Sequence, residues 1–453
     1  MTKKITKEHF DVFVIGSGTA GKTVAHKAAA QGKRVAMADH QPYGGTCANR
    51  GCDPKKVLAN ASQLIAKSRD LAQKQITTEA KIQWEHLQEF KRSFTDAVPA
   101  STEKNLSQQN ITLYHQSPRF LDENTLSVEG KTITADRIVI ATGMTPRTLH
   151  IPGEQFFQTS KDFLELESLP ESMIFIGGGY VAMEFAHMAA YCGVEVTVIE
   201  RNDRILQLFD EDLTKKLQEA SQEIGITFIF NAEVVEAESL QKNIRVYYKK
   251  EGKREEVKAR MVINASGRVP SIDQLDLENG NVDVSKKGVT VNKYLQSPTN
   301  NRVFACGDVA ASGNLPLTPL SGIEGNIVAD NILNSTMREE KCPVIPTVVF
   351  TQPQLATVGL SEEEAKKQNI KVNIKKGHVP NWYNAKRVNT NYYCYKTLAD
   401  QEGIIVGAQL LSPEAGESIN LLALAIQHKM TVAQFQKSVY TYPSWASDLQ
   451  AMF

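Results

Sequence analysis

The sequence Asp11-Val-Phe-Val-Ile-Gly-Ser-Gly-Thr-Ala-Gly21 joins a short apolar run, rich in β-branched residues, directly to a glycine turn. An Ala-rich stretch over residues 22–31 predicts a helix after the turn, and residues 34–39 predict a second strand. The glycines fit the pattern G-x-G-x-x-G at Gly16, Gly18 and Gly21. Asp39 ends the second strand, 23 residues after the first glycine. Because such a turn places backbone against a pyrophosphate and the acid on a ribose, we predict a dinucleotide-binding unit here.

The same unit recurs later in the chain. Ser172-Met-Ile-Phe-Ile176 predicts a strand, Gly177-Gly-Gly-Tyr-Val-Ala182 is its glycine turn, and a stretch of helical composition follows. Residues 195–200 then predict another strand, which ends in an acid 23 residues after the first glycine of the turn. Ala182 takes the place of the third glycine, which this fingerprint permits. Two complete units predict two bound dinucleotides, and the alternative is a duplicated domain with one empty site.

The acid that ends this later unit, Glu200, bears on the choice of nicotinamide cofactor. A carboxylate at this position suits two ribose hydroxyls and repels a 2′-phosphate. Arg201 and Arg204 lie close by in the sequence and are alternative binders of that phosphate, or simply exposed charges. We therefore expect NADH, with NADPH as the alternative.

The overall composition excludes several classes of protein. The 453 residues contain 51 Lys and Arg against 51 Asp and Glu, so the net charge is zero and the basic surface typical of nucleic-acid binding is absent. The apolar runs fall well short of the roughly 20 residues needed to span a bilayer. The first ten residues lack the apolar core of a signal peptide. We expect a cytoplasmic enzyme with neither a nucleic-acid nor a membrane partner.

Two of the six cysteines, Cys47 and Cys52, form a close pair in Gly44-Gly-Thr-Cys-Ala-Asn-Arg-Gly-Cys-Asp-Pro-Lys-Lys56. The proline suits the first turn of a helix, which we predict over residues 55–67. Cys52 would then lie at or just before the helix N-terminus, where the dipole and nearby lysines favour the thiolate. The other cysteines stand alone and are interpreted as buried small apolar residues: Cys192, Cys306, Cys342 and Cys394.

The chemistry of the pair has three candidate explanations. A structural zinc site needs about four ligands, and no second cysteine pair or histidine cluster is present in the sequence. Two inert buried thiols would leave the surrounding glycines and lysines unexplained. A redox disulfide explains both, since a thiolate attacks disulfides and also leaves from them. We therefore interpret Cys47 and Cys52 as a redox-active pair.

These features resemble the pyridine nucleotide-disulfide oxidoreductases, the flavoprotein group of glutathione reductase, dihydrolipoamide dehydrogenase and mercuric reductase. The resemblance covers nearly the whole chain, and its motifs are the first glycine turn, residues 44–56, Ala141-Thr-Gly143, Gly177 to Glu184, Ser266-Gly-Arg268, Cys306-Gly-Asp308 and Leu317-Thr-Pro319. It implies an α/β fold with two Rossmann-like dinucleotide-binding domains and a C-terminal α+β dimerisation domain. It also implies bound FAD, a nicotinamide nucleotide, and a homodimer whose active site is shared between subunits.

The resemblance divides the chain into four segments. These are an FAD-binding domain in two parts, residues 1–147 and 271–340, an NAD(P)-binding domain over residues 148–270, and the dimerisation domain over residues 341–453.

The resemblance also implies a role for each matched residue. Cys52 matches the sulfur next to the flavin, and Cys47 matches the sulfur that attacks the acceptor. Lys56 would approach flavin N5 and pair with Glu184, while Tyr180 would shield the flavin until nicotinamide displaces it. The nicotinamide nucleotide would bind at Gly177, Gly179 and Glu200. The other cofactor contacts are implied for Gly16, Gly18, Gly21, Asp39, Gly45, Thr46, Thr142, Gly143, Gly267 and Asp308.

The C-terminal segment departs from the family pattern. Disulfide reductases of the group end in His-Pro-Thr-x-x-Glu, and the His serves the partner's thiol pair as acid and base. Here Tyr442 occupies the His position and Ser447 the Glu position, with Asp448 one residue further on. Tyr442 either transfers a proton, or contacts the substrate, or packs in the dimer interface. Its reference pKa near 10 makes it a poor base at neutral pH.

The resulting prediction is an FAD-dependent NAD(P)H oxidoreductase that passes electrons through Cys47 and Cys52 to a small acceptor. A disulfide is the leading acceptor class. The alternatives are reduction of a quinone or a metal ion, and a flavoprotein without catalytic activity.

Overall fold

A computed structural model of the chain describes residues 7–334, 336–339 and 343–453. Cys342 and residues 1–6 lie outside this part of the chain. The expectation that Cys342 is buried, and part of the stretch used for the signal-peptide argument, therefore fall outside the described residues.

The described strands are β1 (Lys7–Ile15), β2 (Val35–Ala38), β3 (Thr112–Tyr114), β4 (Arg119–Phe120), β5 (Thr125–Val128), β6 (Lys131–Ile140), β7 (Met144–Pro146), β8 (Ser172–Ile176), β9 (Glu195–Ile199), β10 (Ile226–Ile229), β11 (Ala232–Leu240), β12 (Asn243–Lys250), β13 (Lys253–Ala259), β14 (Met261–Asn264), β15 (Arg268–Pro270), β16 (Val284–Ser285), β17 (Gly288–Val289), β18 (Val303–Ala305), β19 (Thr347–Val349), β20 (Gln354–Gly359), β21 (Val372–His378), β22 (Cys394–Asp400) and β23 (Ile405–Ser412).

The described helices are α1 (Thr19–Ala30), α2 (Gly45–Arg50), α3 (Cys52–Ala72), α4 (Trp84–Thr95), α5 (Val98–Gln108), α6 (Ser160–Leu164), α7 (Tyr180–Tyr191), α8 (Glu211–Glu223), α9 (Thr318–Leu333), α10 (Glu362–Lys367), α11 (Tyr383–Val388), α12 (Ala415–Gln427), α13 (Val432–Lys437) and α14 (Trp445–Asp448). Two short 3₁₀ helices cover Glu154–Phe156 and Leu449–Met452.

The chain divides into two compact units. The first comprises Met1–Lys56, Glu89–Arg147 and Arg268–Cys342, and the second comprises Val57–Gln88, Thr148–Gly267 and Pro343–Phe453.

The first unit contains a sheet in the order β3-β2-β1-β6-β5-β4, with β18 also paired to β6. Both faces of β1 are buried, since Phe13 belongs to one core cluster and Val12 to another, as is usual for a strand within a parallel sheet. In register, Ile15 pairs with both Ala38 and Ile140, and Ile140 pairs with Ala305. The turns that follow these parallel strands therefore lie at one edge of the sheet.

The second unit contains a parallel sheet in the order β10-β9-β8-β14 and an antiparallel sheet β11-β12-β13. Ile176 pairs with both Ile199 and Asn264, so the glycine turn after β8 and the acid after β9 lie at the same edge. The C-terminal part forms an antiparallel sheet in the order β19-β20-β23-β22-β21, and α12 packs on β20 and β23.

These elements confirm the predicted fold class, with a sheet in the first unit that is parallel apart from β4 and β5, a parallel sheet in the second unit, and a C-terminal α+β domain. The predicted helix after Pro54 exists but is longer than expected, since α3 begins at Cys52 and ends at Ala72. Among the lone cysteines, Cys306 and Cys394 are buried and Cys192 is partly buried. The division into four domain segments stays a prediction. Among the described residues, none of the helices has both the length and the apolarity that crossing a membrane requires.

Candidate active site

The first glycine turn is closed too tightly for any other residue type at Gly16 and Gly21, and so is its contact with Gly45 of α2. A Cβ added at Gly16, whose φ is +108°, would lie 2.3 Å from the Ala141 carbonyl oxygen. A Cβ at Gly21 would lie 2.0 Å from the Gly16 oxygen, and one at Gly45 would lie 2.4 Å from Gly18 Cα. The sequence positions predicted to cradle a pyrophosphate are therefore packed as backbone against backbone, which suits that role.

Asp39 is held against this turn by hydrogen bonds. Its Oδ2 accepts from the Ser17 amide at 2.8 Å and from the Ser17 hydroxyl at 2.6 Å, and its Oδ1 accepts from the Gln41 amide at 2.9 Å. The Ser17 hydroxyl also accepts from the Gly44 amide at 3.0 Å. This network fixes the acid where the second strand ends and ties the turn to the segment that carries the cysteines.

Two buried polar atoms beside this edge have no hydrogen-bond partner among the described residues: Arg50 Nη1 and Thr142 Oγ1. Burial lowers the pKa of Arg50, and its charge is within electrostatic reach of Asp39 and Arg268. Buried polar groups nearly always have a partner in native proteins. A ligand with phosphate oxygens and hydroxyl groups would satisfy both, so the residues present fit the predicted FAD.

The third turn of this edge follows β18. Gly307 has a φ of +73° and its amide donates to Glu324 at 2.6 Å. Asp308 accepts a hydrogen bond from the Ser321 hydroxyl at 3.3 Å, and burial raises the pKa of its carboxyl. Gly143, with a φ of +66°, lies in the turn after β6. The structure thus brings the predicted residues Thr142, Gly143 and Asp308 to turns at the same sheet edge as the first glycine turn.

The second unit repeats the arrangement. A Cβ at Gly177, whose φ is +103°, would lie 2.6 Å from the Ala265 oxygen, and Gly179 caps α7. Glu200 is buried and accepts from the Gly178 amide and from the Asn202 backbone and side chain, the latter at 2.9 and 2.6 Å. Tyr180, the first residue of α7, is 46% exposed, and Gly267 follows β14 with a φ of +124°.

The two arginines near Glu200 have different surroundings. The Arg204 guanidinium donates to the carbonyl oxygens of Gln207 at 3.0 Å and Phe209 at 3.2 Å, so it stabilises its own loop. Arg201 is exposed.

The cysteine pair is presented by two consecutive helices, with Cys47 in α2 and Cys52 as the first residue of α3. Both are free thiols. Gly51 separates the helices, and a Cβ there would lie 2.8 Å from the Thr46 carbonyl oxygen. The Cys52 Sγ is 3.5 Å from the hydroxyl of Thr318, the first residue of α9.

The two sulfurs differ in acidity. The hydrogen bond from the Cys47 thiol lowers the pKa of Cys52 to about 6, with help from Thr318 and Lys55 against the opposing effect of burial. The same hydrogen bond and burial raise the pKa of Cys47, and the charge of Asp53 adds to this. In the reduced pair, these effects favour the thiolate on Cys52 and the proton on Cys47.

Two charged groups lie near Cys47. The Cys47 Sγ is 3.9 Å from Asp53 Oδ1. Lys22 in α1 is half-buried, and burial lowers the pKa of its ammonium although the charges of Cys47 and Asp53 oppose this. These groups form a mixed-charge surrounding for the sulfur predicted to attack the acceptor.

The predicted positions of Lys56 and Glu184 fall in different units, and their pairing stays a prediction. Glu184 is buried in α7, and its Oε1 accepts from the Phe350 amide at 3.0 Å.

Tyr442 is 75% exposed, and its ring lies against that of Tyr383 with centroids 6.3 Å apart. Ser447 donates to the Ser444 carbonyl oxygen at 2.6 Å, and Asp448 accepts from the Tyr393 hydroxyl at 3.1 Å. The two positions that could substitute for the family's orienting acid are thus engaged in local contacts.

Sequence reasoning missed four residues of the site: Lys22, Arg50, Asp53 and Thr318. Arg50 and Asp53 could have been found from the sequence, because they flank Cys52 within the segment that carries the predicted redox-active pair. Thr318 belongs to the motif Leu317-Thr-Pro319, but nothing local relates it to a cysteine 266 positions away.

Comparison with known proteins agrees with this geometry. Residues 10–329 match the family described as pyridine nucleotide-disulphide oxidoreductase, and residues 345–453 match the dimerisation domain of that family.

The relatives cover nearly the whole chain. A mercuric reductase of Staphylococcus aureus is 32% identical over 97% of this chain and 81% of its own length. A glutathione reductase of Nostoc sp. is 32% identical over 98% of this chain and 99% of its own. Among solved structures, the HOCl-induced flavoprotein disulfide reductase RclA from Escherichia coli superimposes with a TM-score of 0.86 at 27% identity, covering 98% of this chain and 99% of that one. The chain therefore belongs to the pyridine nucleotide-disulphide oxidoreductase family and is an FAD-dependent NAD(P)H disulfide oxidoreductase.

Proposed function

We propose that the chain takes electrons from NADH and delivers them, through Cys47 and Cys52, to the disulfide bond of a small acceptor. The observation that carries this proposal is the pair of free thiols where α2 meets α3, with Cys52 as the first residue of α3 and its Sγ 3.5 Å from the Thr318 hydroxyl. With the Cys52 pKa at about 6 and the Cys47 pKa raised, each sulfur suits a different task. Cys52 is the stable thiolate of the reduced pair, and Cys47 is the half-buried sulfur that exchanges with the acceptor.

The groups proposed to hold FAD are those of the first sheet edge. The backbone at Gly16, Gly18, Gly21 and Gly45 would lie against the pyrophosphate, and Asp39 would bind a ribose. Thr142, Gly143, Asp308 and the guanidinium of Arg50 would meet its remaining polar groups, as would Thr46 and Lys56 near the cysteines. Bound FAD supplies two-electron transfer between the nicotinamide and the sulfurs.

The proposed nicotinamide site lies at Gly177, Gly179, Tyr180, Glu200 and Gly267. We favour NADH over NADPH. The 2′-phosphate of NADPH would face the buried Glu200 carboxylate, and burying two like charges together is costly. The hydrogen bonds of Arg204 support this choice. Its guanidinium already donates to carbonyl oxygens of its own loop, so of the two neighbouring arginines Arg201 is left to bind a phosphate.

The dimerisation domain supports a homodimer, and the exposed Tyr442 is our candidate for a group that one subunit offers to the other's acceptor. We assign Tyr442 a contact with the substrate. Lys56 and Glu184 are proposed to pair with each other near the flavin. A cytoplasmic location stays a prediction.

A metal ion is the second candidate acceptor. It is favoured by the relative named mercuric reductase and by the two thiols, because soft thiolate ligands select soft metal ions. A quinone is a third, because electrons could reach it without the cysteines.

The test is an anaerobic reductive titration with NADH followed by acceptor screening. The wild-type enzyme should gain two titratable thiols on reduction and then reduce disulfides. Cys47→Ser should still take up electrons from NADH but lose reduction of disulfides and of metal ions that need both thiols. Reduction of quinones should survive. Cys192→Ser, which alters a partly buried lone cysteine, is the control and should behave like the wild type. Wild-type enzyme that gains no thiols would contradict the proposal.

A further inference from the structure

Cys47 lies beside a carboxylate of its own chain. Its Sγ is 3.9 Å from Oδ1 of Asp53, which is exposed and lies in the first turn of α3. An acid in the first helical turn is stabilised by the helix dipole wherever it lies in a protein. The helix dipole would stabilise Asp53 whether or not its carboxylate lay beside Cys47. It therefore does not explain the contact between Asp53 and the Cys47 sulfur.

A cation accompanies this carboxylate. Lys22 is half-buried in α1, and its ammonium is within electrostatic reach of both Asp53 and Cys47. The charged and titratable groups described around Cys47 are therefore Cys52, Asp53 and Lys22, while Lys55 acts on Cys52. All of them belong to the first unit.

The C-terminal segment offers no imidazole for the same task. Tyr442 stands where disulfide reductases of the family carry their acid–base histidine, and a phenol with a reference pKa near 10 accepts protons poorly at neutral pH. A thiol that must attack a disulfide has to lose its proton, and the leaving thiolate has to gain one. Both needs point to a proton carrier in contact with Cys47.

We propose that Asp53, whose Oδ1 is 3.9 Å from the Cys47 Sγ, is the proton-transfer partner of Cys47. The proposal rests on the disulfide-reductase function. Cys47 attacks one sulfur of the acceptor disulfide while its proton moves to the Asp53 carboxylate. The acceptor's S–S bond breaks, a mixed disulfide with Cys47 forms, and Asp53 passes the proton to the thiolate that leaves.

The Cys52 thiolate then attacks the Cys47 sulfur and closes the intramolecular disulfide. The second acceptor thiolate leaves and takes a proton from water. The acceptor gains two electrons and two protons, and the cysteine pair loses the two electrons that NAD(P)H had supplied.

A carboxylate is a weaker base than a thiolate, so the proton does not rest on the Asp53 side chain. It is handed on to a second thiolate, so the exchange as a whole is close to neutral. An acceptor seated over Cys47 also removes water from the exposed carboxylate, which disfavours its charged form.

The test is Asp53→Asn, because the proposed role and a purely electrostatic role give opposite signs. Removing the negative charge makes the Cys47 thiolate easier to form in either case. Iodoacetamide labelling of the NADH-reduced enzyme should therefore show a lower midpoint for Cys47. Trypsin cleaves after Arg50, so the two cysteines fall in separate peptides and can be followed individually. If Asp53 carries the proton, single-turnover reduction of a small disulfide should nevertheless slow by about a hundredfold or more, the low side of the range for general acid–base catalysis.

Faster labelling together with unchanged or faster disulfide reduction would overturn the proposal. Asp53→Glu, which keeps the carboxylate, should restore part of the rate. The control is Asp96→Asn, which makes the same chemical change at another exposed aspartate of the first unit and should leave both readouts unaltered. Thiol counting separates the two levels of failure. If the wild-type enzyme gains no thiols with NADH, the proposed function fails together with this inference, whereas a normal gain with a fast Asp53→Asn enzyme defeats the inference alone.

Discussion

At the scale of single residues, the two active sulfurs carry different charges because their neighbours differ. Thr318 and Asp53 act on both sulfurs, but Cys52 also accepts the hydrogen bond from the Cys47 thiol and lies near the charge of Lys55. Hydrogen bonds to a charged form favour that form, and a nearby negative charge disfavours it. Division of labour within the pair therefore follows from a few contacts within one unit.

The hydroxyl of Thr318 should be measurable in the acidity of Cys52. In the reduced enzyme, the Cys52 thiolate should be present above pH 6 and be lost as the pH falls through about 6. Thr318→Val removes the hydroxyl 3.5 Å away, so the Cys52 pKa should rise by about one unit, the low side of the effect of a hydrogen bond to a charged group. The readout is the midpoint of iodoacetamide labelling in the Cys52 peptide. The control is Thr23→Val, which removes a hydroxyl that donates to the Thr19 carbonyl oxygen. An equal shift of the Cys52 midpoint in both variants would refute the role given to Thr318.

The charge of Glu200 should set the preference for the nicotinamide nucleotide. We expect kcat/KM to be at least about tenfold higher with NADH than with NADPH in the wild type, because the carboxylate binds ribose hydroxyls and repels a 2′-phosphate. Glu200→Gln keeps the size and one carbonyl acceptor but removes the charge, so this ratio should fall. Glu195→Gln, at the exposed start of the same strand, should keep it. A wild-type preference for NADPH would instead point to Arg201.

At the scale of elements, glycine turns are what the sequence predicts best. Each turn follows a β-branched run and precedes a helix, so the signal is contained in about 30 consecutive residues. Cys52 was expected at or just before the N-terminus of the helix that contains Pro54, and α3 begins there; the end of α3 at Ala72, beyond the expected end at residue 67, was less predictable. The contact of Cys52 with Thr318 and the electrostatic interaction of Cys47 with Lys22 join distant parts of the chain, and no local pattern encodes them.

The packing of α2 against the first glycine turn predicts a specific defect in Gly45→Ala. Both Gly45 and Gly32 have positive φ values, +79° and +73°, so alanine costs roughly 1–2 kcal/mol at either position. Only the Cβ at Gly45 would also collide with Gly18, 2.4 Å away, which adds about 1–3 kcal/mol of overpacking, while Gly32 has open space.

We therefore expect Gly45→Ala to lower the urea midpoint more than Gly32→Ala does. It should also weaken FAD binding, as followed by quenching of flavin fluorescence. Equal losses in the two variants would show that the close approach of Gly45 to Gly18 has no part in holding the cofactor.

At the scale of the whole molecule, the family assignment makes the C-terminal domain a dimerisation domain, and its final segment is unusually exposed. Val439 is 98% and Tyr442 is 75% exposed within one chain. The fold class followed from the sequence because the strand, glycine turn, helix and strand recur as a complete unit and the family motifs cover nearly the whole chain. The identity of the acceptor did not, because Tyr442 and Ser447 replace the His and Glu of the family's disulfide reductases.

Tyr442 should affect the acceptor rather than the stability of the chain. Because the side chain is largely exposed, Tyr442→Ala should change the free energy of unfolding by no more than about 0.5 kcal/mol. A substrate contact predicts that KM for the disulfide rises by about three- to tenfold, while reduction by NADH is unchanged. Val439→Ala, in the same exposed segment, is the matched control.

The competing role of Tyr442 is packing between subunits. In that case Tyr442→Ala should lower the average mass measured by light scattering on dilution, from twice that of one chain toward that of a single chain. A stable dimer with an unchanged KM would exclude both roles.

A sulfur that is ionised at neutral pH is also a target for oxidants such as hydrogen peroxide or hypochlorous acid, which convert a thiolate to a sulfenic acid. In this enzyme the thiol of Cys47 stands next to Cys52 and would condense with that sulfenic acid, expelling water and forming the intramolecular disulfide. That product is the oxidised form which NAD(P)H reopens in normal turnover. Damage by one equivalent of oxidant would therefore be erased by the enzyme's own cycle, without a dedicated repair system.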